Sequence, residues 1–169
     1  MVGERPDKIL VHCPNWVGDL VMATPALRTI RENSPGSHIA VMVRPQVRQV
    51  IEGLPYYDEI IEYDSQCFDR GLKKKFYISK KLKKLAFTLS IILPNSFSSA
   101  AISFMAAIPN RIGYKTNCRG FMLTRSITQP KKYGKKVPIS MVDRYLDICS
   151  QLNYTISSRK TMLWFSNGT

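Results

Sequence analysis

A chain of 169 residues, 44% of them hydrophobic, is long enough to bury the core of one domain and too short for two ordinary ones. Its net charge of +13 is concentrated locally: 16 of the 25 Lys and Arg lie between Arg70 and Val142, a stretch without a single Asp or Glu. Such a one-signed field attracts anions, but charge by itself does not choose among nucleic acid, anionic lipid and phosphorylated saccharide.

The first ten residues mix Glu4, Arg5, Asp7 and Lys8 with Pro6 and carry no apolar signal-peptide core, so a cytoplasmic protein is expected. The most apolar stretch, 89–108, is broken by Pro94, Asn95 and serines, which argues against a membrane span. Cys13, Cys67, Cys118 and Cys149 are far apart with no C-x-x-C pair, and four free thiols are expected rather than a metal site or a disulfide framework.

Residues 8–13 (KILVHC) form an apolar run with little alternation, as in a strand buried on both faces of a parallel sheet. Pro14 ends it, and a loop is expected over Asn15 to Asp19. The apolar positions Leu20, Val21, Leu27 and Ile30 then predict helix, interrupted by Pro25. Either that helix kinks at Pro25, or a short turn ends there and the main helix starts with Thr24 as its cap.

A turn at 33–36 leads to a strand over 37–43, a short helix over 46–53 and a third strand over 58–63. Residues 72–85 read as a Lys-rich amphipathic helix, 87–93 as a fourth strand and 96–107 as a small-residue helix. A fifth short strand is expected within 108–114, and 120–136 has the Gly, Pro and Lys content of an irregular basic loop. Residues 140–152 place Val142, Tyr145, Leu146, Cys149 and Leu152 on one helical face, and Ser140 with Asp143 resembles a capping box. The apolar run within 159–169 fits an extra strand or a linker.

Strands alternating with helices at this spacing predict βαβ units: an α/β, Rossmann-like fold with a parallel sheet and helices on both faces. The domain is expected to span 1–155, with 156–169 a linker or the start of another domain. Ligands of such a sheet sit outside the carboxyl ends of its strands, which singles out 15–19, 44–45, 94–99 and 115–119. The first of these loops has one Gly where a dinucleotide fingerprint needs three, so an NAD site is not supported. Gly18 followed by Asp19 fits a base held at the mouth of a cleft.

The string CPNWVGDLVMATPALRTIR resembles the signature of glycosyltransferase family 9, in particular its heptosyltransferase II branch. VRPQVRQVIEGLPYYDEIIEYD, IILPNSFSSA, IPNRIGY with a nearby RG, and MVDRYL agree with that family in the same order. The sequence departs from the family pattern at His12–Cys13, at Thr88 where an Asp is usual, and at Ser140 where a His is common. The resemblance implies an inverting glycosyltransferase of the two-domain GT-B kind, of which this chain covers the N-terminal, acceptor-binding half. It implies lipopolysaccharide biosynthesis, with ADP-heptose bound by the other domain and a lipid A inner core carrying Kdo and a first heptose as acceptor. No cofactor or metal is implied, and the chain alone is expected to be inactive and truncated.

By the same resemblance Asp19 is the catalytic base, unless it is only a first-turn acid on the helix dipole. Asn15, Trp16 and Gly18 would contact the acceptor or merely shape the loop. Asn95 and Ser96 would cap the following helix and donate to the acceptor. Lys115 and Arg119, with Arg111 beside them, would pair with Kdo carboxylates or core phosphates, unless the loop is only a solvated basic segment. The cluster from Lys73 to Lys84 would be drawn to the anionic inner face of the cytoplasmic membrane, or is an ordinary exposed face. The alternative to an enzyme half is a non-catalytic module that binds anionic saccharide or lipid. Nucleic acid is not expected, because the motifs of the usual modules are absent.

Overall fold

A computed structural model describes residues 6–63, 71–133 and 135–163. In chain order it contains β1 (Lys8–His12), α1 (Val17–Asn33), β2 (His38–Val43), a 3-10 helix (Pro45–Val50), β3 (Glu59–Glu62), α2 (Gly71–Leu85), β4 (Leu89–Ile92) and α3 (Phe97–Met105). These are followed by β5 (Asn110–Tyr114), a 3-10 turn (Gly120–Met122), β6 (Arg125–Ile127), a two-residue hairpin β7 (Lys131–Lys132) and β8 (Lys135–Lys136), and α4 (Met141–Ser150). The first six strands form one sheet in the order β3-β2-β1-β4-β5-β6, every pair parallel. The sheet reverses its direction of winding between β1 and β4, the place where an open α/β sheet leaves a crevice at its carboxyl edge.

Side chains alternate between two cores, as the two-residue period of a strand requires. Ile9, Val11, Ile39, Val41, Leu89 and Ile91 face α1 and α4, whereas Leu10, Ala40, Met42 and Ile61 face α2 and α3. This double burial explains why the strands read as unbroken apolar runs; each fully buried Ile or Leu contributes about 1.5–3 kcal/mol. A polar seam crosses the second core. His12 Nε2 lies 2.7 Å from Ser103 Oγ, which lies 2.8 Å from Ser90 Oγ, and all three residues are buried.

Several expectations change. Helix α1 runs unbroken through Pro25, so Gly18 and Asp19 belong to its first turn rather than to a loop, and Thr24 is no cap. Pro25 has no N–H to offer the Val21 carbonyl; the Thr24 hydroxyl donates to that carbonyl instead, at 2.8 Å, which offsets the missing bond. The segment expected as an irregular loop over 120–136 contains β6, the sheet's last strand, and the small hairpin. Three residues are too short for a periodicity to be visible, and β6 exists because it pairs with β5. The helix expected over 46–53 is a 3-10 helix over Pro45–Val50.

Ser140 does cap α4: its Oγ accepts from Asp143 N at 3.1 Å and donates to Asp143 Oδ2 at 2.8 Å. Residues 154–163 contain no helix or strand and lie against α1, where Asn33 exchanges two hydrogen bonds of 2.9 Å with Thr155 and Thr24 Oγ1 accepts from Met162 N at 2.8 Å. The rest of the expected strand or linker, 164–169, lies outside the described residues, as does Cys67.

Candidate functional site

The crevice is walled on one side by the turn after β1. Cys13 N donates to Met42 O at 3.0 Å, holding the end of β1 to β2, and the chain turns through Pro14 and Asn15 into α1. Trp16 takes the cap position with extended backbone and no side-chain cap bond, so its indole is free to project; it is 77% exposed. Asn15 is half-buried and Gly18 exposed.

Asp19 is half-buried in the first turn, where the helix dipole favours a carboxylate. Among the described residues it makes no hydrogen bond or ion pair. Its charge nonetheless acts on α4: burial first, and then Asp19, push the Tyr145 phenol well above its ordinary value. The carboxylate thus lies within electrostatic reach of Tyr145 on α4.

Neither His12, the last residue of β1, nor Cys13 after it competes for the role of base. Burial, and after it the Arg119 charge, depress the His12 imidazole to about 3, so it is neutral. Burial pushes the Cys13 thiol up to about 12. Among the described residues no group of three or more His, Cys, Asp and Glu could hold a metal ion.

The opposite wall is the turn after β4. Ser96 caps α3, its Oγ accepting from Ser99 N at 3.4 Å. Asn95 is not the cap. Its Oδ1 accepts from Arg144 Nη2 at 2.8 Å and from Thr116 Oγ1 at 3.4 Å, and its carbonyl accepts from Asn117 Nδ2 at 2.9 Å. Asn95 therefore ties together the turn after β4, the loop after β5 and α4.

The basic loop is less solvated than its composition suggests. Arg119 is 0% exposed, and its guanidinium donates to Tyr114 O at 2.9 Å, Pro94 O at 2.6 Å and Ser96 O at 2.9 Å. Its second terminal nitrogen is buried with no hydrogen-bond partner and lies over Gly113, where a Cβ would come within 3.4 Å of it and 3.0 Å of Ile92 O. Burial, with Arg144 nearby, lowers Arg119 to about 10.

Arg119 clamps the carboxyl ends of β4 and β5, because loop carbonyls surround its head. Arg111 is used in the same way, donating to Met122 O at 2.6 Å and to Ile108 O, with its head over the Phe104 ring. Lys115 is the exposed cation of the loop. Its stem lies along Gly120, where any Cβ would fall 2.9 Å from Lys115 Cγ.

Arg144, absent from the sequence-based candidates, joins α4 to the turn after β4 through Asn95. It stacks on the Tyr114 ring, its carbon 4.2 Å from the centroid, while Tyr114 Oη donates to Asp147 Oδ2 at 2.5 Å. The string MVDRYL marked its position, but its partner Asn95 is 49 residues away and only the fold joins them.

A sequence profile of glycosyltransferase family 9 (heptosyltransferase) matches residues 76–163. The lipooligosaccharide heptosyltransferase 2 of Haemophilus ducreyi is 34% identical over 139 residues, covering 82% of this chain and 38% of that protein. The lipopolysaccharide heptosyltransferase 2 of Escherichia coli is 31% identical over 141 residues, covering 82% of this chain and 39% of that protein. The chain thus spans about two fifths of the length of these relatives.

Among solved structures, a glycosyl transferase family 9 protein from Veillonella parvula superposes with a TM-score of 0.77 at 19% identity, over 92% of this chain and 43% of that one, which concerns the fold. The E. coli ADP-heptose lps heptosyltransferase II superposes with a TM-score of 0.72 at 25% identity, over 95% of this chain and 47% of that one. The parallel sheet with its flanking helices is that of one half of these GT-B glycosyltransferases, and the chain belongs to glycosyltransferase family 9, the heptosyltransferases.

Proposed function

We propose that this chain is the acceptor-binding half of an inverting heptosyltransferase acting on the lipopolysaccharide inner core, with Asp19 as the general base. One observation carries this assignment: a carboxylate without a hydrogen bond or ion pair among the described residues stands at the switch point of the sheet, in the first helical turn after β1. Family membership supplies the reaction class, and the relatives' names supply the donor, ADP-heptose.

In the reaction, Asp19 takes the proton of the acceptor hydroxyl as its oxygen forms a bond to the anomeric carbon. The bond from that carbon to the diphosphate breaks with opposite geometry, and ADP leaves with the electron pair. Developing positive charge on the sugar makes a nearby carboxylate doubly favourable. Asn15 and Trp16 on one wall, and Asn95, Ser96 and Lys115 on the other, line the acceptor's approach. Arg119 supports that second wall from beneath. The sugar nucleotide is assigned to a second domain facing this crevice.

The test joins this chain to a donor-binding domain of the family and compares the parent with Asp19→Asn. Single-turnover heptosyl transfer is expected to fall by about 10²-fold or more, because the base acts in the transition state. Titration with a Kdo-heptose oligosaccharide is expected to give unchanged acceptor affinity. A transfer rate within a few-fold of the parent would remove Asp19 from the mechanism. Acceptor binding without any transfer in the joined parent would favour a non-catalytic saccharide-binding module.

A further inference from the structure

We propose that the solvent face of α2 is a membrane-docking surface whose partner is an anionic bilayer. This proposal does not depend on the transfer chemistry. Ile78, Ser79 and Leu82 turn inward, and Ser79 Oγ donates to Ile102 O of α3 at 3.1 Å, which fixes the rotation of the helix. The outward face consists of Phe76, Tyr77, Lys80, Lys81, Lys83 and Lys84, all exposed. At 100° per residue these six fall within one arc of about 160°.

Two properties of that face are independent of each other. Among the described residues none of Lys80, Lys81, Lys83 and Lys84 makes an ion pair, and no residue from Gly71 to Val142 is acidic. Within the face stand two large aromatic side chains that pack on nothing internal enough to hide them, Phe76 at 65% and Tyr77 at 74% exposure. A merely solvated helix face needs the lysines and gains nothing from the aromatics. Aromatic rings amid lysines on a convex helix suit the headgroup region of a bilayer, where the rings enter the interface and the ammonium groups meet lipid phosphates.

The placement is also consistent. Lys8 Nζ donates to Leu85 O at 3.2 Å, so the end of α2 sits at the amino edge of the sheet and its start at the carboxyl edge, where the crevice opens. Phe76 and Tyr77 are in the half of α2 nearer that edge. Docked by this face, the domain holds its crevice close to the lipid surface while α1 and α4, on the other side of the sheet, remain free.

The experiment is sedimentation of the 169-residue chain with large vesicles of phosphatidylglycerol and phosphatidylcholine, and with phosphatidylcholine alone. The parent is expected to bind the mixed vesicles and not the neutral ones. Replacing Lys80, Lys81, Lys83 and Lys84 together by Gln is expected to weaken binding about tenfold or more. Phe76→Ser with Tyr77→Ser keeps the charge, and is expected to leave a residual binding that high salt abolishes, whereas parent binding survives it in part. All six side chains are exposed, so circular dichroism should show parent-like folding in both variants. Binding that ignores lipid charge in the parent, or aromatic variants that bind like the parent at high salt, would overturn the proposal. So would a single-stranded oligonucleotide that displaces the parent from vesicles at equal charge concentration, since that would mark a general polyanion surface.

Discussion

Arg144 Nη2 donates to Asn95 Oδ1 at 2.8 Å, and this one bond links α4 to the turn that forms the second wall of the crevice. A hydrogen bond to a half-buried charged group contributes about 1.5–3 kcal/mol. Arg144→Gln is therefore expected to lower the thermal midpoint and weaken acceptor binding together. A double-mutant cycle with Asn95→Ala should give a coupling of roughly 1 kcal/mol. Additive effects would mean that the two residues support the wall separately.

Arg119 and Lys115 should separate cleanly. Arg119→Ala strands the carbonyls of Pro94, Ser96 and Tyr114 and opens a cavity, with an expected cost of about 3 kcal/mol or more in chemical denaturation. Lys115→Ala should leave stability within about 0.5 kcal/mol but weaken binding of a Kdo-containing oligosaccharide and flatten its salt dependence. Unchanged stability in Arg119→Ala would show that the clamp is dispensable.

The Thr24 hydroxyl serves two backbones, donating to Val21 O beside Pro25 and accepting from Met162 N. Thr24→Val keeps the shape and removes both bonds. We expect a loss of about 1–3 kcal/mol and earlier proteolytic cleavage near Met162. Parent-like stability together with parent-like proteolysis would show that residues 154–163 are held by their other contacts.

His12 predicts a specific pH dependence. Its folded value of about 3 lies below the ordinary 6.5, so the unfolded chain binds the extra proton first. Stability is therefore fully present above about pH 6.5 and falls as the pH drops toward 3, with a slope of at most about 1.4 kcal/mol per unit. Asp58, whose carboxyl desolvation would raise but the Ile39 N–H and Arg31 lower from 3.8, adds its loss as the pH falls through about that value toward its folded one. Between pH 4.5 and 6.5 a His12→Gln variant should show a flatter stability profile than the parent. An identical slope would assign the titration to another group.

The arrangement of elements was legible because each carries its own local signal. Apolar runs such as 8–13 mark strands buried on both faces, and Ser140 with Asp143 marks the start of α4 through a contact three residues long. The family string around Asp19 was legible for the same reason: it is contiguous.

What the sequence could not express were roles set by partners distant in the chain. The sequence offered Arg119 as an acceptor-binding cation or part of a solvated basic loop; the fold surrounds it with carbonyls 5, 23 and 25 residues away and turns it into a clamp. β6 is a strand only because β5 offers it a ladder, and α1 passes through Pro25 because a neighbouring hydroxyl occupies the carbonyl that proline leaves unbonded. Local propensity and pattern thus determined which elements form, and long-range hydrogen bonding at the strand ends decided which charges are structural and which remain exposed at the crevice.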